Sequence, residues 1–211
     1  MSEQGRFIVV EGIDGAGTTT QVGKLAARLR RDGRLVRATR EPSDGPIGSM
    51  IRQVLTGRVV SPEGAPGWAT MALLFAADRM DHVEAEILPF VKTGGIVISD
   101  RYDASSLAYQ SVTSGAGAKE AVEWIRSLNM HAVRPDLTIV IDLHADVAST
   151  RRAERGEAAQ LYEQNEVQRA LAEFYRELPR HMPKDKIVVV SGSGSIEEVH
   201  ERVYAAYKAS F

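Results

Sequence analysis

Short apolar runs alternate along the chain with longer segments in which apolar residues recur every three or four positions. The runs predict five strands, at Phe7–Glu11, Arg34–Thr39, Ile96–Ser99, Leu137–Leu143 and Ile187–Val190. The periodic segments predict helices, one around Leu25, Ala26 and Leu29 and the others at Ile47–Leu55, Trp68–Lys92, Ala118–Met130, Val147–Glu154, Glu166–Leu178 and Ile196–Lys208. This alternation predicts an α/β fold, an open five-stranded parallel sheet with helices on both faces. We expect a single domain over residues 1–211, with ligands at the carboxyl ends of the strands.

The first predicted strand leads into a glycine-rich turn, and the stretch from Phe7 to Gln21 reads FIVVEGIDGAGTTTQ. Glycines let a backbone approach phosphate oxygens closely, and the N-terminus of the next helix favours an anion. The turn therefore predicts a phosphate-binding P-loop whose ATP-binding residues are Gly12, Ile13, Gly15, Ala16, Gly17, Thr18, Thr19 and Thr20. The pattern G-x-x-x-x-G-K-[ST] is broken at one position, because Thr18 replaces the lysine. A turn that needs glycine only for its backbone geometry is the alternative.

Composition narrows the class of protein. The chain has 211 residues and a formal net charge of -2, which argues against a general nucleic-acid binder. It has no cysteine, so disulfides, thiol nucleophiles and cysteine-ligated metals are excluded. No apolar run approaches the roughly 20 residues of a membrane span. The first residues are polar and lack a signal-peptide core, so we expect a cytoplasmic protein that binds no membrane.

Several motifs together resemble those of the thymidylate kinases, which are P-loop nucleoside monophosphate kinases. Beyond the glycine turn, the motifs are Thr39–Pro42 (TREP), Leu74–Arg79 (LFAADR), Asp100–Tyr102 (DRY), Ser105–Gln110 (SSLAYQ) and Arg134–Thr138 (RPDLT). They occur in the family's order over most of the chain. The resemblance implies transfer of the γ-phosphoryl group of ATP to dTMP, with Mg²⁺, to give dTDP and ADP. It also implies a homodimer, for which Trp68–Phe90 offers apolar surface; complete use of that apolar stripe by the core is the alternative.

Phosphoryl transfer needs donors, cations and a metal anchor around the phosphates. Thr19 stands where a P-loop hydroxyl reaches Mg²⁺, and Asp100 ends a predicted buried strand where a carboxylate can hold the metal. The neighbouring Arg101 can hold phosphate. A structural ion pair of Asp100 with Arg101 is the alternative. By resemblance Glu163 is a further acidic residue that helps to organise the metal or the lid.

The acceptor site is predicted mainly by resemblance. Asp14 contacts the sugar hydroxyl of dTMP. Arg40 contacts the acceptor phosphate, and Arg101 also binds dTMP. Phe75 and Arg79 form an i, i+4 pair on one helical face, where a ring can stack on a pyrimidine and a guanidinium can read its O4 atom. Ser106 and Tyr109 share a face of the helix after Asp100, where their hydroxyls would bond the base and exclude a ribose 2′-OH, and Gln110 is adjacent. The alternatives are core packing for Phe75 and Tyr109, and surface arginines for Arg40 and Arg79.

A cluster of arginines, Arg151, Arg152 and Arg155, predicts a mobile lid over about residues 151–162. We hypothesise that one of these arginines supplies the charge that Thr18 lacks; a solvated helix end is the alternative reading. Lys24 lies nearly two turns into the first helix and is expected to point away. Two other functions stay open: another nucleoside monophosphate or deoxynucleoside kinase, and a nucleotide-binding homolog with weakened catalysis.

Overall fold

A computed structural model describes residues 4–59, 66–114, 118–155 and 164–211. Five strands, β1 (Arg6–Gly12), β2 (Val36–Arg40), β3 (Ile96–Asp100), β4 (Leu137–Asp142) and β5 (Ile187–Ser191), form one sheet in the order β2-β3-β1-β4-β5. Every neighbouring pair is parallel. The predicted five-stranded parallel sheet is therefore confirmed. β2 begins two residues later than predicted, because the amide of Arg34 is still bonded to the Leu29 carbonyl at the end of the preceding helix.

Helices connect the strands. Their bounds are α1 (Thr18–Arg31), α2 (Pro46–Leu55), α3 (Trp68–His82), α4 (Leu88–Lys92), α5 (Asp103–Thr113), α6 (Ala118–Leu128), α7 (Ala145–Arg155), α8 (Asn165–Arg176), α9 (Leu178–His181) and α10 (Ile196–Ser210). A π-helical turn, Val83–Ile87, joins α3 to α4, so the long helix predicted over Trp68–Lys92 is nearly continuous. The helix predicted over Glu166–Leu178 instead ends at Arg176, and Leu178 starts the short α9, which carries Pro179 in its first turn.

The core lies on both faces of the sheet. The three central strands are almost wholly buried, which explains why most of their residues are apolar. One face carries the larger cluster with α1, α8 and α10, in which Leu25, Leu171 and Val203 are fully buried. The other face packs on the π-helical turn through Val9, Val97 and Ile87. None of the helices in the described part of the chain is long and apolar enough to cross a membrane.

The strand register brings the chemistry-bearing positions together. Asp100 pairs with both Val10 and Arg40, so the ends of β1, β2 and β3 lie at one edge of the sheet. The connection after β1 leads to β2 on one side of β1, whereas the connection after β3 leads to β4 on the other side of β1. Such a reversal opens a crevice at the carboxyl ends of the strands, which is where α/β folds bind ligands.

Candidate active site

The turn between β1 and α1 has the backbone of an anion-binding loop. Gly15 and Gly17 adopt φ values of 90° and 92°, in the left-handed region that favours glycine. A Cβ on Gly15 would also lie 2.5 Å from the Ala148 carbonyl oxygen. Gly17 is the N-cap of α1 and has no side chain to cap it, so the first-turn amides remain open to a ligand. Thr18, in place of lysine, is buried in that turn.

The hydroxyl of Thr19 donates a hydrogen bond to Asp100 Oδ2. The other carboxylate oxygen of Asp100, Oδ1, is buried and has no hydrogen-bond partner among the described residues. A buried carboxylate oxygen without a donor is costly, and a hydroxyl with a carboxylate is a donor set that suits Mg²⁺. These two residues fit a magnesium ion. Glu163, the third predicted metal residue, lies outside the described residues.

Arg101 follows β3 and adopts a φ of 76°, a strained conformation for a residue other than glycine. Its guanidinium donates to the Gly12 carbonyl, to Asp14 Oδ1 at 2.6 Å and to the Tyr175 hydroxyl at 3.1 Å. Burial alone would lower the pKa of Arg101, but Tyr109, Tyr175, Asp14 and Glu11 outweigh it and hold the pKa well above its ordinary value. Arg101 is therefore a permanent cation, and its ion-pair partner is Asp14. The predicted alternative, an ion pair with Asp100, is wrong.

Under Arg101 lies Glu11, a buried carboxylate at the end of β1 that the sequence analysis did not select. It accepts from the Tyr102 amide at 2.9 Å, the Ser105 hydroxyl at 2.6 Å and the Tyr175 hydroxyl at 3.1 Å. Burial raises the pKa of Glu11 to about 7, although Arg101, Ser105 and the Tyr102 amide all act to lower it. The sequence pattern that indicates this buried carboxyl group is weak: it is a single charged residue at the end of an apolar strand.

The two predicted lid arginines with described side chains contact different loops. Arg152 is buried and donates to the carbonyl of Asp14, so its guanidinium lies on the P-loop. Arg151 donates to the carbonyls of Gly192 at 3.2 Å and Gly194 at 3.4 Å, in the turn between β5 and α10. The side chain of Arg155 and most of the predicted lid, residues 156–162, lie outside the described residues. Lys24 pairs with Glu197 at 2.7 Å, pointing away from the P-loop as expected.

A cleft of about 640 Å³ including its open mouth brings most of the predicted acceptor residues together. Its lining includes residues from the long helix, from α5 and from the strand ends, namely Asp14, Phe75, Arg79, Arg101, Ser106, Tyr109 and Gln110. Phe75 is partly buried, and it also packs with the apolar cluster of Ile51, Val54 and Met71. The ring therefore serves both the core and the cleft wall.

The closed end of this cleft is polar and buried. Arg79 is only 1% exposed and donates to Glu41 at 2.6 Å and to Ser106 at 3.1 Å, so the alternative of a surface arginine is wrong. Its Nε has no hydrogen-bond partner among the described residues, and neither has Gln110 Oε1. Both residues line this cleft, and the two atoms themselves are buried in its wall. A base edge that offers one acceptor and one donor would satisfy this donor and this acceptor.

A second cleft of about 1190 Å³ including open solvent runs along the P-loop. Its lining includes Gly15, Thr18, Thr19, Arg40 and Asp100. Arg40 is largely exposed and pairs with Asp44 at 2.7 Å. Arg52, which the sequence analysis missed, also lines this cleft and donates to the Pro42 carbonyl at 2.8 Å.

The two clefts are adjacent. Five residues line both of them, namely Asp14, Glu41, Pro42, Leu55 and Arg101. The Asp14–Arg101 pair is therefore at the junction of a base-sized cleft and a phosphate-binding loop. This arrangement suits the transfer of a phosphoryl group between two nucleotides that meet end to end.

Comparison with known proteins agrees with this geometry. A protein-family model described as thymidylate kinase matches residues 10–203. A probable thymidylate kinase of Pyrococcus abyssi is 38% identical over 205 residues, which cover 97% of each chain. A probable thymidylate kinase of Thermococcus onnurineus is 42% identical over 94% of this chain and 95% of its own. A thymidylate kinase of Pelobacter propionicus is 38% identical over 95% of this chain and 93% of its own. The chain belongs to the thymidylate kinase family.

Proposed function

We propose that the two adjacent clefts divide the dTMP kinase reaction between them. The chain is a phosphotransferase that phosphorylates dTMP to dTDP, and ATP is the donor in its family. In our proposal the P-loop cleft holds the triphosphate of ATP and the smaller cleft holds dTMP. The observation that carries this division is the Asp14–Arg101 pair, which lines both clefts.

The base cleft selects thymine through its two polar atoms without partners. A thymine edge presents the O4 acceptor beside the N3–H donor, whereas a cytosine edge presents an amino donor beside an acceptor nitrogen. Arg79 Nε–H donates to O4, and Gln110 Oε1 accepts from N3–H. Phe75 stacks on the ring, and Ser106 and Tyr109 fill the remaining wall of the cleft. A cytosine base would place donor against donor and leave both buried groups unsatisfied, which costs about 1–3 kcal/mol for each group.

The phosphate end of the cleft is cationic. Arg40 and Arg101 bind the acceptor phosphate, and Asp14 orients the sugar hydroxyl. Thr19 and Asp100 would hold Mg²⁺ with the help of Glu163. When bound, the ion supplies charge neutralisation on the transferring phosphoryl group. The described residues position the two nucleotides, and such positioning is a main contribution of a protein to phosphoryl transfer.

Arg152 replaces the missing P-loop lysine in this proposal. Of the two lid arginines with described side chains, it is the one whose guanidinium contacts the P-loop, and it is buried, so its charge acts at low dielectric. Arg151 and Arg155 then belong to the closing lid over about residues 151–162. A guanidinium forms planar, bidentate contacts with phosphate, which suits the bridge between the β- and γ-phosphates.

We propose further that the chain is one kinase domain and acts as a cytoplasmic homodimer. The dimer rests on the family resemblance, and within the predicted surface Trp68–Phe90 the residue Leu73 of α3 is 51% exposed. Sedimentation of the purified protein tests the dimer. A monomer at micromolar concentration would contradict it.

The experiment that tests the proposed function is a coupled ADP-release assay with ATP and a panel of monophosphates. Turnover with dTMP in preference to dCMP, dAMP and dGMP supports the proposal. Preference for another monophosphate or a deoxynucleoside supports a different kinase. Binding of ATP and dTMP without turnover supports a homolog whose catalysis is weakened by Thr18.

A further inference from the structure

A tyrosine from α8 lies directly beneath the Asp14–Arg101 pair. Tyr175 is 2% exposed, and its hydroxyl contacts three residues of other elements. It lies 3.1 Å from Arg101 Nη1, 2.9 Å from Ser105 Oγ and 3.1 Å from Glu11 Oε2. One hydroxyl thus joins α8 to the ends of β1 and β3 and to the first turn of α5.

We propose that Tyr175 is a positioning residue for phosphoryl transfer, whose hydroxyl fixes the Arg101 guanidinium and, through it, Asp14 at the junction of the clefts. The proposal rests on the proposed function, because Arg101 and Asp14 are assigned there to the acceptor phosphate and sugar. Tyr175 does not line either cleft, so it acts through Arg101 and not on the nucleotides.

The donors and acceptors of the cluster fix the direction of this contact. A guanidinium can only donate, so the Tyr175 oxygen accepts from Arg101. The single hydroxyl hydrogen is then available to Glu11 or to Ser105. Glu11 also accepts from the Tyr102 and Ser105 amides and from the Ser105 hydroxyl. The tyrosine therefore connects an anchored buried carboxyl group at one end to the active-site cation at the other.

Arg101 needs external support because its own backbone does not favour its position. Its φ of 76° lies in the left-handed region, which is strained for a residue other than glycine. The guanidinium donates to the Gly12 carbonyl, to Asp14 and to the Tyr175 hydroxyl, and it lies 5.6 Å from the centre of the Tyr109 ring on α5. Gly12 and Asp14 belong to the P-loop, so Tyr175 is the hydrogen-bond acceptor that joins the guanidinium to α8.

The same face of α8 also supports the partner of Arg101. Gln168 lies seven residues, or about two helical turns, before Tyr175. Its amide donates to Asp14 Oδ2 at 3.3 Å, while Arg101 takes Asp14 Oδ1 at 2.6 Å. Helix α8 therefore contacts both members of the pair, and it follows directly after the predicted lid.

The test is Tyr175→Phe, which keeps the buried ring and removes only the hydroxyl. The matched control is Tyr204→Phe, because the Tyr204 hydroxyl bonds Asp32, the residue just after α1, at 3.3 Å, and neither residue lines either cleft. We expect Tyr175→Phe to lower kcat for dTMP about tenfold, the effect of losing one hydrogen bond to a charged group. The KM for ATP should stay within about twofold, and the control should match the wild type in both constants.

A double-mutant cycle separates positioning from a general structural effect. In an Arg101→Lys background the guanidinium that Tyr175 contacts is absent, so adding Tyr175→Phe should lower kcat by less than about twofold. The inference is overturned if the two effects multiply, if Tyr175→Phe keeps wild-type kcat, or if it lowers the melting temperature steeply and raises both KM values with kcat unchanged. Wild-type enzyme without dTMP turnover would instead contradict the proposed function, before any variant is compared.

Discussion

Replacing Arg152 by alanine tests whether a lid arginine supplies the charge that Thr18 lacks. The guanidinium of Arg152 donates to the Asp14 carbonyl and is buried, so alanine removes a desolvated cation from the P-loop. Loss of one charge-assisted hydrogen bond to phosphate costs about 1.5–3 kcal/mol, which corresponds to a fall of about tenfold to 150-fold in rate. An upper bound is about 4 kcal/mol, the interaction of unit charges about 4 Å apart at an effective dielectric of about 20.

The assay is steady-state ADP release with saturating ATP and dTMP, run beside Arg180→Ala as the matched control. Arg180 is 82% exposed on its side chain and pairs only with the neighbouring Glu177 among the described residues, so its removal should leave kcat unchanged. A second comparison adds Thr18→Lys to Arg152→Ala, which returns a cation to the usual position and should recover part of the lost rate. The reasoning is refuted if Arg152→Ala lowers kcat by less than about tenfold, or if Thr18→Lys gives no recovery.

Three further predictions concern the base, the metal and the buried carboxyl group. Gln110→Leu removes the proposed acceptor for thymine N3–H, so kcat/KM for dTMP should fall about tenfold while the KM for ATP stays unchanged. An equal fall in kcat/KM for dTMP and for ATP would contradict the assignment. Asp100→Asn should lower kcat more than about a hundredfold and weaken the dependence of the rate on Mg²⁺, because a metal ion supplies several kcal/mol of charge stabilisation; an unchanged Mg²⁺ titration would contradict it. Burial raises the pKa of Glu11 from 4.5 to about 7. Between these two pH values the folded chain keeps the proton on Glu11 and the unfolded chain loses it. The free energy of unfolding therefore falls as the pH rises from 4.5 to about 7. Urea unfolding at pH 5 and pH 8 should show the wild type losing up to about 3 kcal/mol relative to Glu11→Gln, whereas parallel curves for the two proteins would contradict the buried-carboxyl account.

Local sequence patterns predicted the elements of this fold well. The central strands are short, mostly apolar runs, and the core on both faces of the sheet requires such runs. The glycines of the P-loop also carry their own signal, because Gly15 and Gly17 adopt positive φ. Helix ends were predicted less well, as at Arg176, because the residues on either side are equally compatible with a helix.

The candidate site was predictable where one helix holds the residues together. Phe75 and Arg79 lie one turn apart and line the same cleft. Their surroundings were not predictable, because Glu41, the ion-pair partner of Arg79, is 38 residues away in sequence and meets it only through tertiary packing. The burial of Arg79 is set by that partner and not by any local pattern.

Neighbouring arginines show the same limit. Arg151 and Arg152 are adjacent in sequence, but consecutive helical residues point about 100° apart. One side chain therefore reaches the β5–α10 turn and the other reaches the P-loop. The charge cluster indicated an anion partner without showing which arginine would contact the loop. Tyr175 carried no signal at all, since a tyrosine on an amphipathic helix usually belongs to the core.

The central claim is that the P-loop amides and Arg152 hold a triphosphate whose end meets dTMP at the Asp14–Arg101 pair. A crystal structure with a non-hydrolysable ATP analogue, Mg²⁺ and dTMP tests it most directly. The account predicts phosphate on the amides of Gly15 to Thr19, the Arg152 guanidinium within about 3 Å of the β- or γ-phosphate oxygens, and thymine against Phe75 and Arg79. A P-loop empty of phosphate at saturating nucleotide, or an Arg152 side chain turned away from the triphosphate, would contradict it.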